Sequence, residues 1–147
     1  RTTERATGFD CDLVSEGFGT NQLIYILGKA LQKDRNLICI EEPEIHLNPE
    51  AVIKLAEVLL EISRQHQRRF LIATHSEHFV VALLNRIGRG AARTDDVKLY
   101  HLQKDREETT LEEQQVNEKG QIRGGLRPFY DVELAQLREF LQVGEPQ

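Results

Sequence analysis

The sequence predicts an α/β domain with parallel strands flanked by helices, and three observations carry that expectation. Leu37-Ile38-Cys39-Ile40 and Phe70-Leu71-Ile72-Ala73 are short, wholly apolar runs, the pattern of strands covered on both faces in a parallel sheet. Between them lies an amphipathic stretch long enough for a crossover helix, and strand–helix–strand units join parallel neighbours by a right-handed crossover. Both runs end in polar residues with chemical capacity, Glu41-Glu42 after the first and Thr74-His75-Ser76 after the second. In open α/β sheets ligands bind at the carboxyl ends of the strands, where these residues would emerge.

The elements follow in order. Arg1 to Val14 reads as irregular or as the tail of a strand, and Gly17 and Gly19 then punctuate a loop that opens a helix. Leu23, Ile24, Ile26, Leu27, Ala30 and Leu31 give that helix a broad apolar face running to about Lys33. After the two acids, Asn48 is placed to cap a second helix and Pro49 to fill its first position, where no amide hydrogen is needed. Val52, Leu55, Ala56, Leu59 and Ile62 line one face of that helix, which ends near residues 65–69. Ser76 caps a third helix, in which Phe79, Val80, Leu83, Leu84 and Ile87 recur at three and four before Gly88 and Gly90 stop it. Residues 89–96 read as a loop, and 97–103 with 109–117 as a strand pair around a charged turn. A glycine-rich linker over 120–128 leads to a last helix at 132–142. The chain thus divides into a core segment, 1–96, and a C-terminal strand pair, linker and helix, 97–147.

Composition narrows the function classes. At 147 residues and 39% hydrophobic content the chain can bury one core but not two full domains. Its 24 acidic and 19 basic residues are mixed along the chain and leave a net charge of −5, which argues against a dominant nucleic-acid groove. Cys11 and Cys39 are the two cysteines, and Cys39 falls inside the first apolar run, where a thiol behaves as a small hydrophobe. No apolar run approaches bilayer-spanning length and none at the N-terminus has signal-peptide character, so a cytoplasmic, reducing setting is expected. The chain opens at Arg1 without a methionine, and a fragment or a processed chain is the expectation.

The motifs stand in a series: Ser15-Glu16-Gly17-Phe18-Gly19-Thr20-Asn21-Gln22, then Glu41-Glu42-Pro43-Glu44 with His46-Leu47 and Pro49 following, then His75, 33 residues after Glu42. With these residues the chain resembles the C-terminal half of an ABC-type ATPase domain. Within that group it is most similar to the RecF-like and overcoming-lysogenization-defect-like branch of AAA-family ATPases. The resemblance covers about Val14 to Asn85 and is weak beyond Asp96.

It implies a partial P-loop NTPase core that binds ATP and Mg2+. Glu41 then takes the acid position that helps hold the metal, usually through water, although the commoner residue there is Asp. Glu42 takes the position of the general base that polarises the attacking water, and His75 that of the switch touching the γ-phosphate. Phosphoryl transfer to water is catalysed mostly by positioning and charge stabilisation, so these three roles are the ones the chemistry needs. The Ser15–Gln22 stretch takes the place of the signature loop, which meets ATP held by another protomer; either Ser15 with Gly17 or the Gly17/Gly19 pair fills that role. A helix amino terminus with nearby glycines is a natural anion site. Ile45 to Pro49 takes the place of the loop between the two nucleotide sites of a homodimer, with His46 and Asn48 as its polar members. A metal site of Glu42, Glu44 and His46 is disfavoured, because neighbours on one turn rarely converge on a single ion.

What is missing matters equally. No Gly-x-x-x-x-Gly-Lys-Ser/Thr occurs, so the loop that cradles the α- and β-phosphates is expected in a preceding N-terminal half, and these residues alone should bind ATP weakly. The leading expectation is an ATP-hydrolysing half-domain whose dimerisation drives an attached effector, in DNA maintenance or phage defence, with a nucleic acid or protein as partner and no membrane. The alternative is a degenerate, non-hydrolysing module that serves as a dimerisation or partner-binding platform. A metal nuclease is disfavoured, since residues 97–103 end in no acid and no Asp-x-Asp occurs downstream.

Overall fold

In a computed structural model of the protein the described residues are 17–34, 36–106 and 108–125, together with the strand residues Thr2–Thr3 and Asp10–Cys11. Ser15 and the helix expected at 132–142 lie outside them. The chain forms two compact units, Arg1–Leu83 and Leu84–Gln147.

The first unit is built on a parallel strand pair. Strand β1 (Thr2–Thr3) pairs antiparallel with β2 (Asp10–Cys11), where a strand tail or irregular chain is expected. Helix α1 spans Phe18–Ala30, β3 Leu37–Glu41, α2 Pro49–His66 and β4 Arg69–Ala73, and helix α3 starts at Glu77. Strands β3 and β4 run parallel with Ile38 opposite Phe70, Ile40 opposite Ile72 and Glu41 opposite Ala73. The crossover between them is α2, as the apolar periodicity of that helix requires.

Local chemistry sets the element ends. Asn48 Oδ1 accepts from Ala51 N at 2.8 Å and Pro49 opens the helix, which satisfies one orphan amide and avoids needing another. Helix α2 ends on Gln67, a non-glycine residue in the left-handed region (φ 52°). Ser63 ties down the exit: its carbonyl accepts from Arg68 N at 3.0 Å and its hydroxyl donates to Arg68 O at 2.6 Å. Ser76 Oγ accepts from Phe79 N at 3.3 Å at the start of α3.

The core of this unit lies on one face of the strand pair. Ile26 and Ala30 of α1, Val52, Leu55, Ala56, Leu59 and Ile62 of α2, and Phe79 and Ala82 of α3 form one buried cluster. Ile38, Ile40, Phe70 and Ile72 pack against it. The alternating strand residues point away: Leu37 is 57% and Leu71 63% exposed, and Cys39 is exposed too. This corrects the expectation of strands covered on both faces and of a buried Cys39. Among the described residues the helices sit against one side only, so strands apolar throughout are half-covered.

The second unit begins within α3, which runs to Gly88. Leu84, Ile87 and Ala92 are buried there. A short 3-10 helix, Thr94–Asp96, interrupts the expected loop. Strands β5 (Leu99–Lys104) and β6 (Thr109–Gln114) then pair antiparallel with Leu102 opposite Leu111. The described part of the stretch expected as linker is tied to the residues before it: Val116 bridges to Ile122, and Asn117 Oδ1 accepts from Lys119 N and Gln121 N at 2.9 Å each. At the tip of this turn Gly120 has φ 68°, and a Cβ there would collide with the Leu84 carbonyl. Only glycine allows that approach.

Candidate functional site

The carboxyl ends of β3 and β4 bring two of the expected catalytic residues together. Because the strands are parallel and in register at Glu41 and Ala73, the residues that follow, Glu42 and Thr74-His75, leave the sheet side by side. His75 Nε2 lies 3.7 Å from Glu42 Oε1, with the imidazole 90% and the carboxylate 41% exposed. Both groups therefore face solvent at the strand rim, where an incoming ligand would reach them.

Glu42 is held in an unusual backbone conformation. Its φ is 45°, in the left-handed region that costs a residue bearing a Cβ on the order of 1–2 kcal/mol. Hydrogen bonds to its backbone and to that of Pro43 hold it there. Glu42 N donates to Ala73 O at 2.7 Å, extending the β3–β4 ladder by one residue. The Gln22 side chain, from α1, donates to Glu42 O at 3.4 Å and to Pro43 O at 3.2 Å. Observed strain at a residue with catalytic potential fits a site whose surroundings over-determine its geometry.

The turn after the acids is a second fixed piece. Ile45 N donates to Glu42 O and Leu47 N to Glu44 O, at 3.2 and 3.0 Å, and Pro43 is fully buried beneath. His46 also has a positive φ, 61°, and its ring lies 5.4 Å from that of Phe18 in a tilted arrangement. Phe18 is otherwise 80% exposed. Gly19, in the first turn of α1, passes so close to this turn that a Cβ would sit 2.5 Å from His46 O. Gly17 caps α1 through its carbonyl, which accepts from Thr20 N and Asn21 N at 3.1 and 3.4 Å. The amino end of α1 and the turn after the acids are thus packed on each other, which places Gly17, Gly19, His46 and Glu42 in one region. Asn48 stands apart in role, since its side chain is committed to capping α2.

For Glu44, Gln22 and Thr74 the sequence shows the residues but not the links they make here. Glu44 Oε1 accepts from Thr74 Oγ1 and from His75 N, both at 2.8 Å, and Thr74 Oγ1 accepts from Ser76 N at 2.9 Å. Glu44 weighed in the sequence only as a metal ligand beside Glu42 and His46. Its carboxylate is instead turned to the histidine segment, and among the described residues no three His, Cys, Asp or Glu side chains are grouped to hold a metal. A magnesium ion does not require such a group. It is commonly held by one or two carboxylates with water and substrate phosphate oxygens, and the exposed Glu41 at the end of β3 is a donor of that kind.

A parallel strand pair with acids after one strand, a histidine after the next and helices packed on its face defines an α/β fold of the P-loop-like NTPase type. The model of one such family, the AAA ATPase domain, matches residues 2–80, more than half of the chain, and the protein belongs to that family. No curated protein matches the sequence. Among solved structures the chain is similar to one from work on the ATP-driven dimerization and DNA-stimulated activation of SMC ATPases, with a TM-score of 0.55 at 11% identity. The likeness covers 95% of this chain and 70% of that one. At such identity it establishes a shared fold.

Proposed function

We propose that the protein is the signature-loop, acid and histidine portion of an ABC-type ATPase of the RecF-like branch, and that it binds and hydrolyses ATP at a dimer interface. The observation that carries this reading is the 3.7 Å approach of His75 to Glu42 at the ends of adjacent parallel strands. Two residues 33 positions apart converge where α/β sheets bind ligands, and neither is buried as a packing residue would be.

In this reading Glu42 accepts the proton of an attacking water and orients it. Its backbone is held by Ala73 and Gln22, which sets where on the rim the carboxylate starts. His75, 90% exposed at the rim and 3.7 Å from Glu42, donates from its imidazole to the γ-phosphate. Glu41 is the residue that would hold Mg2+, which when bound supplies charge neutralisation of the phosphates. The amino end of α1 would offer amides to the nucleotide of a second protomer, with either Ser15 and Gly17 or the Gly17/Gly19 pair as the working element, and His46 belongs to the loop between the two sites. The α- and β-phosphates need a glycine-lysine loop that these residues do not contain, so that loop comes from another stretch of polypeptide. ATP-dependent dimerisation would then move an attached effector, protein or nucleic acid.

The test is ATP turnover and nucleotide binding by the intact protein, wild type beside Glu42→Gln. A loss of turnover of at least about a hundredfold with binding retained is expected, the size of a general-base contribution. Equal turnover in both, or none in either with binding intact, would favour a non-hydrolysing dimerisation platform.

A further inference from the structure

Glu44 has a position that the proposed chemistry does not use. It follows the base by two residues and carries a charge, yet its carboxylate is turned away from the rim and into the segment after β4. Oε1 accepts two hydrogen bonds, from Thr74 Oγ1 and His75 N at 2.8 Å each, across 30 and 31 residues of sequence. Thr74 Oγ1 relays the contact by accepting from Ser76 N at 2.9 Å, and Ser76 in turn caps α3 through Phe79 N. One carboxylate oxygen thus orders three successive residues, with His75 in the middle. The other oxygen, Oε2, is buried and has no hydrogen-bond partner among the described residues.

The two ends of this link differ in freedom. Glu44 sits in a turn closed by Ile45 N to Glu42 O and Leu47 N to its own carbonyl, over the buried Pro43. The imidazole of His75, by contrast, is almost fully exposed, and its polar neighbour among the described residues is Glu42 Oε1, at 3.7 Å. Among the described residues no hydrogen bond holds the imidazole itself. Its position is inherited from its backbone, and that backbone is held by Glu44.

We propose that Glu44 is a positioning residue for His75: its carboxylate fixes the Thr74–Ser76 backbone so that the imidazole stands beside Glu42. The inference rests on the hydrolytic reading for its consequence in turnover, though not for its structural content. Hydrogen bonds to a carboxylate are stronger than neutral ones, and two of them on one oxygen define both a distance and a direction. The requirement is an acceptor oxygen at the Oε1 position. A neutral amide oxygen at that position keeps both bonds in weaker form, so the feature assigned here is the acceptor rather than the charge.

Glu44→Gln and Glu44→Ala separate these terms. The glutamine keeps an acceptor where Oε1 lies and puts an amide where Oε2 lies; the alanine removes both. In the full chain, amide hydrogen exchange at His75 should accelerate about tenfold in Glu44→Ala, the opening cost of one such hydrogen bond, and return close to the wild-type rate in Glu44→Gln. In the intact protein kcat for ATP should fall by about tenfold to a hundredfold in Glu44→Ala, as small misplacements do, with KM within about twofold, and recover in Glu44→Gln. Thr74→Val, which removes the bond to Glu44 and the one from Ser76 N but leaves the His75 amide bond, should show the same pattern at smaller amplitude and keeps the test alive should Glu44→Ala fail to fold. Unchanged His75 exchange in Glu44→Ala, or turnover per folded molecule equal to wild type, overturns the proposal. So does a Glu44→Gln variant as impaired as Glu44→Ala, because the charge would then be the working feature. If the wild-type protein turns over no ATP, the hydrolytic reading fails by itself, and the exchange measurements still decide whether Glu44 positions His75.

Discussion

Glu42 shows what a single residue gives up for its place in a site. Its φ of 45° is one that glycine adopts freely and glutamate does not. A sequence selected only for stability at this corner would carry glycine. Removing the carboxylate in two ways isolates that cost: Glu42→Gly should be more stable than Glu42→Ala by about 1 kcal/mol, because only the alanine retains a Cβ in the left-handed region. Denaturant unfolding of the two variants measures the difference, and equal stabilities would mean that the backbone relaxes once the side chain is gone. His46, at φ 61° in the same turn and against the exposed ring of Phe18, is a second such residue. Two left-handed residues within five positions mark the turn after the acids as shaped for something other than economy of folding.

At the scale of the element, helix α2 is the best-specified part of the chain. Its start is written in Asn48-Pro49 and its buried face in Val52, Leu55, Ala56, Leu59, Leu60 and Ile62. Its end is less predictable, because Gln67 rather than glycine occupies the left-handed position. Opposite effects are therefore expected at the two ends. Asn48→Ala should destabilise by about 1 kcal/mol through loss of the bond to Ala51 N. Gln67→Gly should stabilise by a similar amount, about 1 kcal/mol, by removing the Cβ from that conformation. Thermal unfolding of both variants checks the pair, and a Gln67→Gly variant less stable than wild type would show that the glutamine side chain contributes more than its backbone costs. At the start of helix α1 it is Gly19 that must be glycine, because His46 O leaves no room for a Cβ, whereas a Cβ at Gly17 would meet open space.

At the scale of the molecule, the strand pair at the base of the site has one face packed and one open. Leu37, Cys39 and Leu71 lie together on the open face, on strands whose pairing among the described residues is limited to each other. Unpaired strand edges and contiguous apolar surface favour association. The chain should self-associate with rising concentration in sedimentation velocity, and Leu71→Glu should weaken that association. A single monomeric species throughout would show that the face is covered within the chain. Membership in the AAA ATPase domain family rests on residues 2–80, the part that holds this pair and every candidate site residue. Among the described residues no helix is long and apolar enough to cross a membrane.

The order of elements from α1 to α3, the crossover between parallel strands and the identity of Glu42 and His75 as candidates were all legible in the sequence. They depend on short-range features: the period of apolar residues, a cap followed by proline, and polar residues at the end of an apolar run. Whether both strand faces would be covered was not legible. An apolar residue reads the same whether a helix lies over it or not, so Leu37, Cys39 and Leu71 gave no sign of their exposure. The links that shape the site escaped for a related reason. Gln22 reaches Glu42 across 20 residues and Glu44 reaches His75 across 31, and no local pattern marks a glutamine or a glutamate as the partner of a distant backbone. The sequence by itself determined which chemistry-bearing residues end the strands, because strand periodicity is local. Only the tertiary structure decided how the acid turn grips the histidine segment, because a hydrogen bond between remote residues exists only once the chain has brought them together.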